Sequence, residues 1–210
     1  MKQSLIIFAR FPRQGEVKTR LAIGVGQVRA AEIYAEFSEH AFVMGENLRK
    51  ASVEVYLFYD PLASSNEIRS WIKRPFHIVP QNGVTLGDRM KDAFERTFRA
   101  GADASVIIGT DVPELDQATV DEAFERLKNH EVVIGPSTDG GYYLLGMRSP
   151  AKNLFNGIAW STQSVFERTV ERLRESELSF SLLKTLTDID TPEDYVKYLK
   201  RCRNPLNLET

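Results

Sequence analysis

Short apolar runs alternate with amphipathic stretches along most of the chain. The first run ends at Ala9, and five more of similar length follow it. Short apolar runs that are bounded by turn residues are typical of buried strands. The strand candidates are residues 4–9, 53–59, 76–80, 105–109, 132–135 and 142–147.

The segments between these runs have the apolar spacing of amphipathic helices. In the first of them, Val28, Ala31, Ala35 and Phe42 recur at intervals of three, four and seven residues. The helix candidates are residues 27–50, 86–100, 117–129 and 161–175. A last helix is predicted after Thr191, which is a suitable N-cap, with Pro192 in the first helical position.

Strands and helices in alternation predict an α/β fold with a mixed, mostly parallel sheet that is covered by helices on both faces. The gap between Gly135 and Tyr142 is too short for a helical crossover, so one antiparallel strand is expected near Tyr143. No repeat or linker interrupts the pattern, and we expect one domain over residues 1–210. Ligands bind beyond the carboxyl ends of strands in such sheets, which selects the loops after the first, third, fourth and fifth strand candidates.

Composition and charge limit the expected partners. Of the 210 residues, 42% are hydrophobic and 27% are charged, as in ordinary globular proteins. The net charge of −2 does not favour nucleic acid or an anionic membrane, and no apolar run approaches a membrane span. The apolar residues after Lys2 are too few for a signal-peptide core, and the single cysteine, Cys202, permits no intrachain disulfide. We therefore expect a cytoplasmic protein.

A basic loop follows the first strand candidate. It carries Arg10, Arg13, Lys18 and Arg20 against one acid, Glu16. Cations and backbone N–H groups in a loop between strand and helix form a binding place for a phosphate chain. The loop lacks the glycine that a Walker A motif requires before its lysine, and it lacks the third glycine of a dinucleotide fingerprint. On these residues alone, a phosphate site and a solvated basic loop are both open interpretations.

Five further segments carry polar residues and glycines near the ends of apolar runs. They read QNGVTLGDRM from Gln81, VIIGTDVP from Val106, VIGPSTDGGYY from Val133, WST from Trp160 and DIDTPED from Asp188. In this order, over residues 5–198, they resemble a family of small bacterial GT-A-like proteins described as radical-SAM/selenodomain-associated glycosyltransferases. That family is similar to 2-phospholactate guanylyltransferase and to the molybdenum cofactor guanylyltransferase.

The resemblance implies a single-domain GT-A fold and a transferase that uses a nucleotide-activated donor together with Mg²⁺ or Mn²⁺. It implies that Asp111, in an intact Gly-x-Asp-x-Pro segment, is a metal ligand. A late aspartate is implied as the second ligand, and we choose Asp190 with Asp188 as the alternative. Without the resemblance, Asp111 could equally cap the following helix. The two late aspartates could equally be turn residues and N-terminal charges before the last helix.

The nucleotide side of the predicted site draws on the basic loop and on the segments from Gln81 and Val106. Lys18 and Arg20 are predicted to meet the phosphates, and Lys18, Asp111 and Asp139 are the predicted catalytic residues. A helix-face salt bridge is the alternative role for Arg89. The predicted nucleotide-binding residues are Ala9, Arg10, Gly15, Lys18, Arg20, Gln81, Gly83, Gly87, Arg89 and Thr110.

The acceptor side is predicted in the two segments that combine glycines, a carboxylate and aromatic residues. Asp139 is expected to bind a hydroxyl of the acceptor or to serve as base. The alternatives are a glycine-rich turn into an edge strand with core tyrosines, and a hydrophobic staple with an N-cap for the next helix in the segment 160–162. The predicted acceptor-binding residues are Asp139, Gly140, Gly141, Tyr142, Trp160, Ser161 and Thr162.

Two reactions fit these residues, and we favour a glycosyltransferase that acts on an NDP-sugar and a small-molecule acceptor. The alternatives are a nucleotidyltransferase that joins an NTP to a phosphorylated molecule, and a non-catalytic nucleotide-binding module. A phosphorylated acceptor calls for cations, but only Arg148 and Lys152 are basic between Gly135 and Thr162. The three histidines share no ligand spacing with Cys202, which argues against zinc.

Overall fold

A mixed β-sheet lies at the centre of the computed structural model, which describes residues 1–151 and 153–203. Within these residues the strands are β1 (Gln3–Ala9), β2 (Glu54–Tyr59), β3 (His77–Pro80), β4 (Ala104–Ile108), β5 (Val132–Pro136), β6 (Tyr142–Met147) and β7 (Phe180–Leu182). Their spatial order is β3-β2-β1-β4-β6-β5-β7. Strand β6 runs antiparallel to both of its neighbours, and the other pairs are parallel. The α/β class and the reversal expected near Tyr143 are confirmed.

Helices cover both faces of this sheet. They are α1 (Thr19–Val25), α2 (Gln27–Lys50), α3 (Ser65–Trp71), α4 (Leu86–Arg99), α5 (Gln117–Arg126), α6 (Val165–Glu175) and α7 (Pro192–Arg203). Leu5 of β1 belongs to the apolar cluster that includes Phe42 of α2, whereas its neighbour Ile6 belongs to the cluster that includes Phe94 of α4. Successive side chains of a strand point to opposite faces, so β1 is buried on both sides. None of the helices in the described residues has the length and apolar character needed to cross a membrane.

Most of the elements expected from the sequence are present. The six predicted strands each agree with an observed strand to within one residue at either end, and the prediction for α2 is identical. The last helix begins at Pro192, and Thr191 Oγ1 accepts a hydrogen bond from Asp194 N at 3.2 Å. The three elements that the sequence did not predict, α1, α3 and β7, have seven, seven and three residues, too few for a periodic pattern to develop.

Two predicted helix boundaries are wrong. Helix α5 ends at Arg126 instead of residue 129, and α6 begins at Val165 instead of residue 161. Ser161 has a φ of 64°, which is left-handed backbone and cannot begin a right-handed helix. The alternative role of the segment from Trp160, an N-cap for the next helix, is also not observed, because Ser164 stands at the N-cap position of α6.

The carboxyl ends of the parallel strands meet at one edge of the sheet. The segment before α7 reaches the same edge, because Ile189 N donates a hydrogen bond to the carbonyl oxygen of Asp111 at 3.0 Å. A second contact, from Thr138 N to Leu186 O at 3.0 Å, fixes this segment beside the end of β5. Late residues of the chain therefore lie next to residues that follow β4 and β5.

Candidate functional site

A cleft of about 750 Å³ opens at the edge of the sheet where these strand ends meet. The predicted site residues that line it are Ala9, Arg10, Lys18, Arg20, Gln81, Arg89, Thr110, Asp111, Asp139, Gly141, Tyr142, Trp160, Ser161, Thr162 and Asp190. Four predicted glycines, Gly15, Gly83, Gly87 and Gly140, are not among its lining residues. The structure thus brings the nucleotide side, the metal side and the acceptor side of the prediction into one cleft.

Lys18 joins the two carboxylates that were predicted as metal ligands. Its Nζ lies 2.6 Å from Asp111 Oδ1 and 2.8 Å from Asp190 Oδ1, although Lys18 and Asp190 are 172 residues apart. Only 3% of the Lys18 side chain is exposed, against 45% for Asp111 and 31% for Asp190. Burial opposes the charge of the ammonium group, but the two carboxylates outweigh it and raise the pKa of Lys18. The lysine is therefore charged, and the carboxylates converge on one position.

Asp188 lines the cleft behind this cluster and has a different environment from Asp190. Its Oδ2 accepts a hydrogen bond from Ser137 Oγ. Burial, followed by repulsion from Asp139, Asp111 and Asp190, raises the pKa of Asp188 to about 7. The site therefore holds more negative charge than Lys18 alone neutralises.

The donor set at the cluster suits a hard divalent cation. Carboxylate oxygens are the ligands that Mg²⁺ and Mn²⁺ prefer, and Mg²⁺ sites commonly use one or two carboxylates together with phosphate and water. Asp111 and Asp190 share Lys18 as a neighbour, Arg20 also pairs with Asp190, and Oδ2 of Asp188 accepts from Ser137, so the choice between Asp188 and Asp190 stays a prediction. Residues 1–151 and 153–203 contain no group of three or more His, Cys, Asp or Glu that could hold a metal by themselves. Metal binding through Asp111 and Asp190 stays a prediction.

The remaining cations of the basic loop separate into two groups. Arg20 lines the cleft, and its Nη2 donates to Asp190 Oδ2 at 2.7 Å. Arg13 does not line the cleft, because its guanidinium group pairs with Glu16 and Glu67 at 3.0 and 2.6 Å. Gly15 turns the loop between them with a φ of 78°, a conformation that glycine adopts without a steric penalty.

Tyr34 is a cleft residue that the sequence analysis missed. Its hydroxyl oxygen accepts hydrogen bonds from Arg10 N at 2.8 Å and from Thr110 Oγ1 at 3.0 Å. The side chain is buried, and desolvation raises the pKa of the phenol. Tyr34 thereby links the loop after β1 to the loop after β4. In the apolar pattern of α2, Tyr34 cannot be distinguished from a tyrosine of the core, so the sequence contained no signal that it links the two loops.

Asp60 is the second residue that was missed. It follows β2, and its carboxylate pairs with Arg89 Nη1 at 3.1 Å. Arg89 Nη1 also donates to Gln81 Oε1 at 3.2 Å. Arg89 forms a salt bridge, but with Asp60 in the loop after β2 and not on the face of α4, and Arg89 also contacts Gln81, another predicted residue. The sequence did contain a signal for Asp60, because this residue directly follows the second strand candidate. The loop after that strand was not among the loops selected as ligand-binding.

On the acceptor side, Asp139 begins a tight turn. Its Oδ1 accepts a hydrogen bond from Gly141 N at 2.9 Å, and Gly140 between them has a φ of 88°. A Cβ on Gly140 would also lie 2.1 Å from the carbonyl oxygen of Gln163, so the turn packs tightly against the segment after Thr162. The glycine-rich turn and the carboxylate at the cleft are both present.

Trp160 forms a wall of the cleft and rests on Gly87. Its ring centroid lies 6.2 Å from that of Phe155, and a Cβ on Gly87 would lie 2.3 Å from its Cε2 atom. Gly87, which was predicted to bind the nucleotide, therefore makes room for an indole ring and does not line the cleft.

Gly87→Ala is expected to displace Trp160 and to destabilise the fold. Overpacking of this kind costs about 1–3 kcal/mol, which lowers the melting temperature of a protein of this size by roughly 2–10 °C. Thermal melts and intrinsic fluorescence measure both effects. Trp71, the second tryptophan, packs against Phe42 in the cluster that contains Leu5 and is not disturbed.

Gly109→Ala is the matched control for this substitution. A Cβ at Gly109 meets no atom within 4 Å, so we expect a melting temperature and an emission spectrum close to those of the wild type. If Gly87→Ala behaves as this control does, Trp160 does not depend on the absence of a side chain at residue 87.

Comparison with known proteins identifies the family. Residues 43–162, more than half of the chain, match the model of DUF2064, a family described as an uncharacterized protein conserved in bacteria. The chain belongs to this family. A structure described as a nucleotide-diphospho-sugar transferase, from Desulfovibrio desulfuricans G20, is 31% identical with a TM-score of 0.90. That alignment covers 99% of this chain and 90% of the other chain.

Two further similar proteins are a curated sequence and a solved structure. The 2-phospho-L-lactate guanylyltransferase of Methanocaldococcus sp. (strain FS406-22) is 30% identical over 112 residues, which are 52% of this chain and 46% of that protein. A nucleotidyl transferase from Methanothermobacter shares the fold with a TM-score of 0.60 at 16% identity, and 97% of this chain and 99% of that chain are covered. These relatives are transferases, as the sequence analysis expected. The radical-SAM association stays a prediction.

Proposed function

We propose that this member of the DUF2064 family is a metal-dependent transferase that uses a nucleotide-activated donor, and that its donor is an NDP-sugar. The observation that carries the proposal is the convergence of Lys18, Asp111 and Asp190 at the edge of the sheet. Cations and carboxylates at one point suit a diphosphate together with Mg²⁺ or Mn²⁺. The likeness to a nucleotide-diphospho-sugar transferase structure over nearly the whole chain supports this donor.

The distribution of charge in the cleft supports glycosyl transfer. Among the lining residues that the structure describes, the cations are Arg10, Lys18, Arg20 and Arg89, all on or next to the predicted nucleotide side. The acceptor side presents Asp139 with aromatic and hydroxyl side chains instead. Arg148 does not line the cleft and donates to Lys128 O at 3.2 Å, and Lys152 lies outside the described residues. A neutral, hydroxylated acceptor fits this side better than a phosphorylated one.

The proposed reaction moves a sugar from the nucleotide to an acceptor hydroxyl. The acceptor oxygen forms a bond to the anomeric carbon, the bond from that carbon to the diphosphate oxygen breaks, and NDP leaves with the bonding pair. Asp139 accepts the hydroxyl proton. Lys18 and Arg20 neutralise the charge that develops on the leaving diphosphate. A bound divalent cation would add charge neutralisation at the same oxygens, held by Asp111 and Asp190.

Asp139→Asn is expected to reduce NDP release much more than NDP-sugar binding. The asparagine keeps the Oδ1 atom that accepts from Gly141, so the turn is retained, but it cannot take a proton. Loss of a general base costs about a hundredfold or more in rate. The measurement is NDP release from a panel of NDP-sugars with Mn²⁺, with and without hydroxylated acceptors, beside calorimetric binding.

Asp121→Asn is the matched control, because Asp121 is an exposed carboxylate on α5 away from the cleft. It should release NDP at the wild-type rate. Equal losses of binding and release in Asp139→Asn would argue against a base at residue 139.

Nucleotidyl transfer is the second candidate, and the identity to a 2-phospho-L-lactate guanylyltransferase favours it. In that reaction an acceptor phosphate attacks the α-phosphorus of an NTP and pyrophosphate leaves. Pyrophosphate release from an NTP, without NDP release from any sugar nucleotide, would overturn glycosyl transfer and leave this second reaction.

A further inference from the structure

Asp60 is a carboxylate that is almost removed from water at the edge of the cleft. Only 9% of its side chain is exposed. It directly follows β2, and its backbone N–H donates to Ala9 O at 3.0 Å, which ties the end of β2 to the end of β1. A buried carboxylate is costly unless its oxygens are paired, so its partners indicate what it holds in place.

Each oxygen of Asp60 has a defined partner. Oδ1 accepts from Leu62 N at 3.0 Å, which shapes the loop after β2. Oδ2 accepts from Arg89 Nη1 at 3.1 Å and lies 3.7 Å from Arg10 Nε. One carboxylate oxygen therefore faces two guanidinium groups that come from different segments of the chain.

Arg89 connects Asp60 to the loop after β3. Its Nη1 donates to Gln81 Oε1 at 3.2 Å and its Nε to Gly83 O at 3.3 Å. Gln81 Nε2 in turn donates to Phe58 O at 3.0 Å. The ends of β1, β2 and β3 are thus connected through Asp60 and Arg89.

Both arginines keep donors for a ligand. Within residues 1–151 and 153–203, Nη2 of Arg89 and the two terminal nitrogens of Arg10 make no hydrogen bond. Both side chains line the cleft, with 26% of Arg89 and 63% of Arg10 exposed. Free guanidinium donors in fixed positions recognise acceptor oxygens and nitrogens.

The strand order separates Asp60 from the predicted metal ligand Asp111. Asp60 follows β2 and Asp111 follows β4, and β1 lies between these two strands. Two strand spacings amount to about 10 Å. A nucleotide whose diphosphate lies at Asp111 and Lys18 would extend its nucleoside toward Arg10 and Arg89.

We propose that Asp60 is a positioning residue for nucleotide recognition, which holds Arg10 and Arg89 so that their free donors meet acceptor atoms of the base or ribose. This inference rests on the proposed function, since it assumes that the cleft binds a nucleotide. Asp60 itself does not touch the ligand and acts through the two arginines.

Asp60→Asn tests the proposal by separating nucleoside recognition from phosphate recognition. The asparagine keeps the Oδ1 acceptor for Leu62 N but loses the charge that faces the arginines. We expect affinity for the best-bound nucleotide of a panel to fall about tenfold, while affinity for inorganic pyrophosphate with Mn²⁺ stays within about twofold. A merely structural role would weaken both ligands together, and that result would overturn the proposal.

A double-mutant cycle tests whether Asp60 acts through Arg89. Arg89→Gln should weaken nucleotide binding on its own, and adding Asp60→Asn to it should cost less than Asp60→Asn costs in the wild-type protein, because only the effect through Arg10 remains. Losses that multiply in the double variant would overturn the proposed route. Glu171→Gln is the control for the loss of a carboxylate that pairs with an arginine, because Glu171 pairs with Arg168 at 2.7 Å on α6 outside the cleft.

The remaining outcomes are also decisive. If Asp60→Asn does not fold, Arg10→Gln and Arg89→Gln apply the same comparison of nucleotide with pyrophosphate, and wild-type nucleotide affinity in both would overturn the proposal. If the wild-type protein binds nucleotide and Asp60→Asn binds it equally well, only this inference is overturned. A wild-type protein that binds no nucleotide or NDP-sugar overturns the proposed function as well.

Discussion

Replacing Asp111 by alanine is expected to abolish the Mn²⁺-dependent part of nucleotide binding while the fold survives. Loss of groups that only orient a metal ligand costs about ten- to a hundredfold in metal affinity, so loss of a ligand should cost about a hundredfold or more. The effect on stability should be small, about 1 kcal/mol, because 45% of the Asp111 side chain is exposed and Lys18 keeps Asp190 as a partner. Calorimetric titration of nucleotide with Mn²⁺ or with EDTA, beside a thermal melt, measures both.

Asp121→Ala serves as the control for the loss of one carboxylate from the surface, and it should retain the wild-type dependence on Mn²⁺. If Asp111→Ala also retains that dependence, Asp111 is not a metal ligand. If Asp190→Ala removes the dependence on Mn²⁺ and Asp111→Ala does not, Asp190 is the ligand that holds the cation.

Lys18→Ala is expected to weaken nucleotide binding more than Arg20→Ala does. Charge-assisted bonds of a buried cation are worth about 1.5–3 kcal/mol, or roughly ten- to a hundredfold in affinity. The Lys18 side chain is 3% exposed, whereas that of Arg20 is 70% exposed, so solvent screens Arg20 and its loss should cost only a few-fold. Raising the salt concentration should also weaken binding by the wild-type protein.

Lys18→Gln accompanies the alanine variant, because removing the ammonium group leaves Asp111 and Asp190 without their shared cation. The glutamine keeps most of the side-chain volume and some hydrogen-bonding capacity. Lys50→Ala, on the exposed end of α2, is the control for the loss of one positive charge. Wild-type nucleotide affinity in both Lys18 variants would return the loop to its interpretation as a solvated basic segment.

The sequence predicted the elements whose hydrophobic pattern is long or strongly apolar. Strand β4 is buried along all five residues, and α2 has 24 residues with a repeating apolar face. These patterns depend only on neighbours along the chain, so they can be read without knowing the tertiary structure. The start of α6 could not be predicted in this way, because the left-handed backbone at Ser161 depends on how the segment after Trp160 packs in the fold.

The same limit applies to the candidate site. The sequence indicated that Lys18, Asp111 and Asp190 belong to functional segments, and the rule for strand ends placed the loops after β1 and β4 at one edge. Tyr34 was missed because a tyrosine on a helix is common in ordinary cores, and Asp60 was missed because the loop after the second strand candidate was not selected. Their roles follow from partners that lie far away in the sequence, such as Arg89 and Thr110.

The sequence by itself determined the α/β class, the parallel character of the sheet and the segments that form the cleft, because each of these follows from local periodicity and from the common direction of parallel strands. Only the tertiary structure decided that Lys18 pairs with a residue 172 positions later, that the Asp60 carboxylate lies beside two arginines and that Trp160 rests on Gly87. These contacts depend on the strand order and on the path of the segment before α7, which no local pattern in the chain encodes.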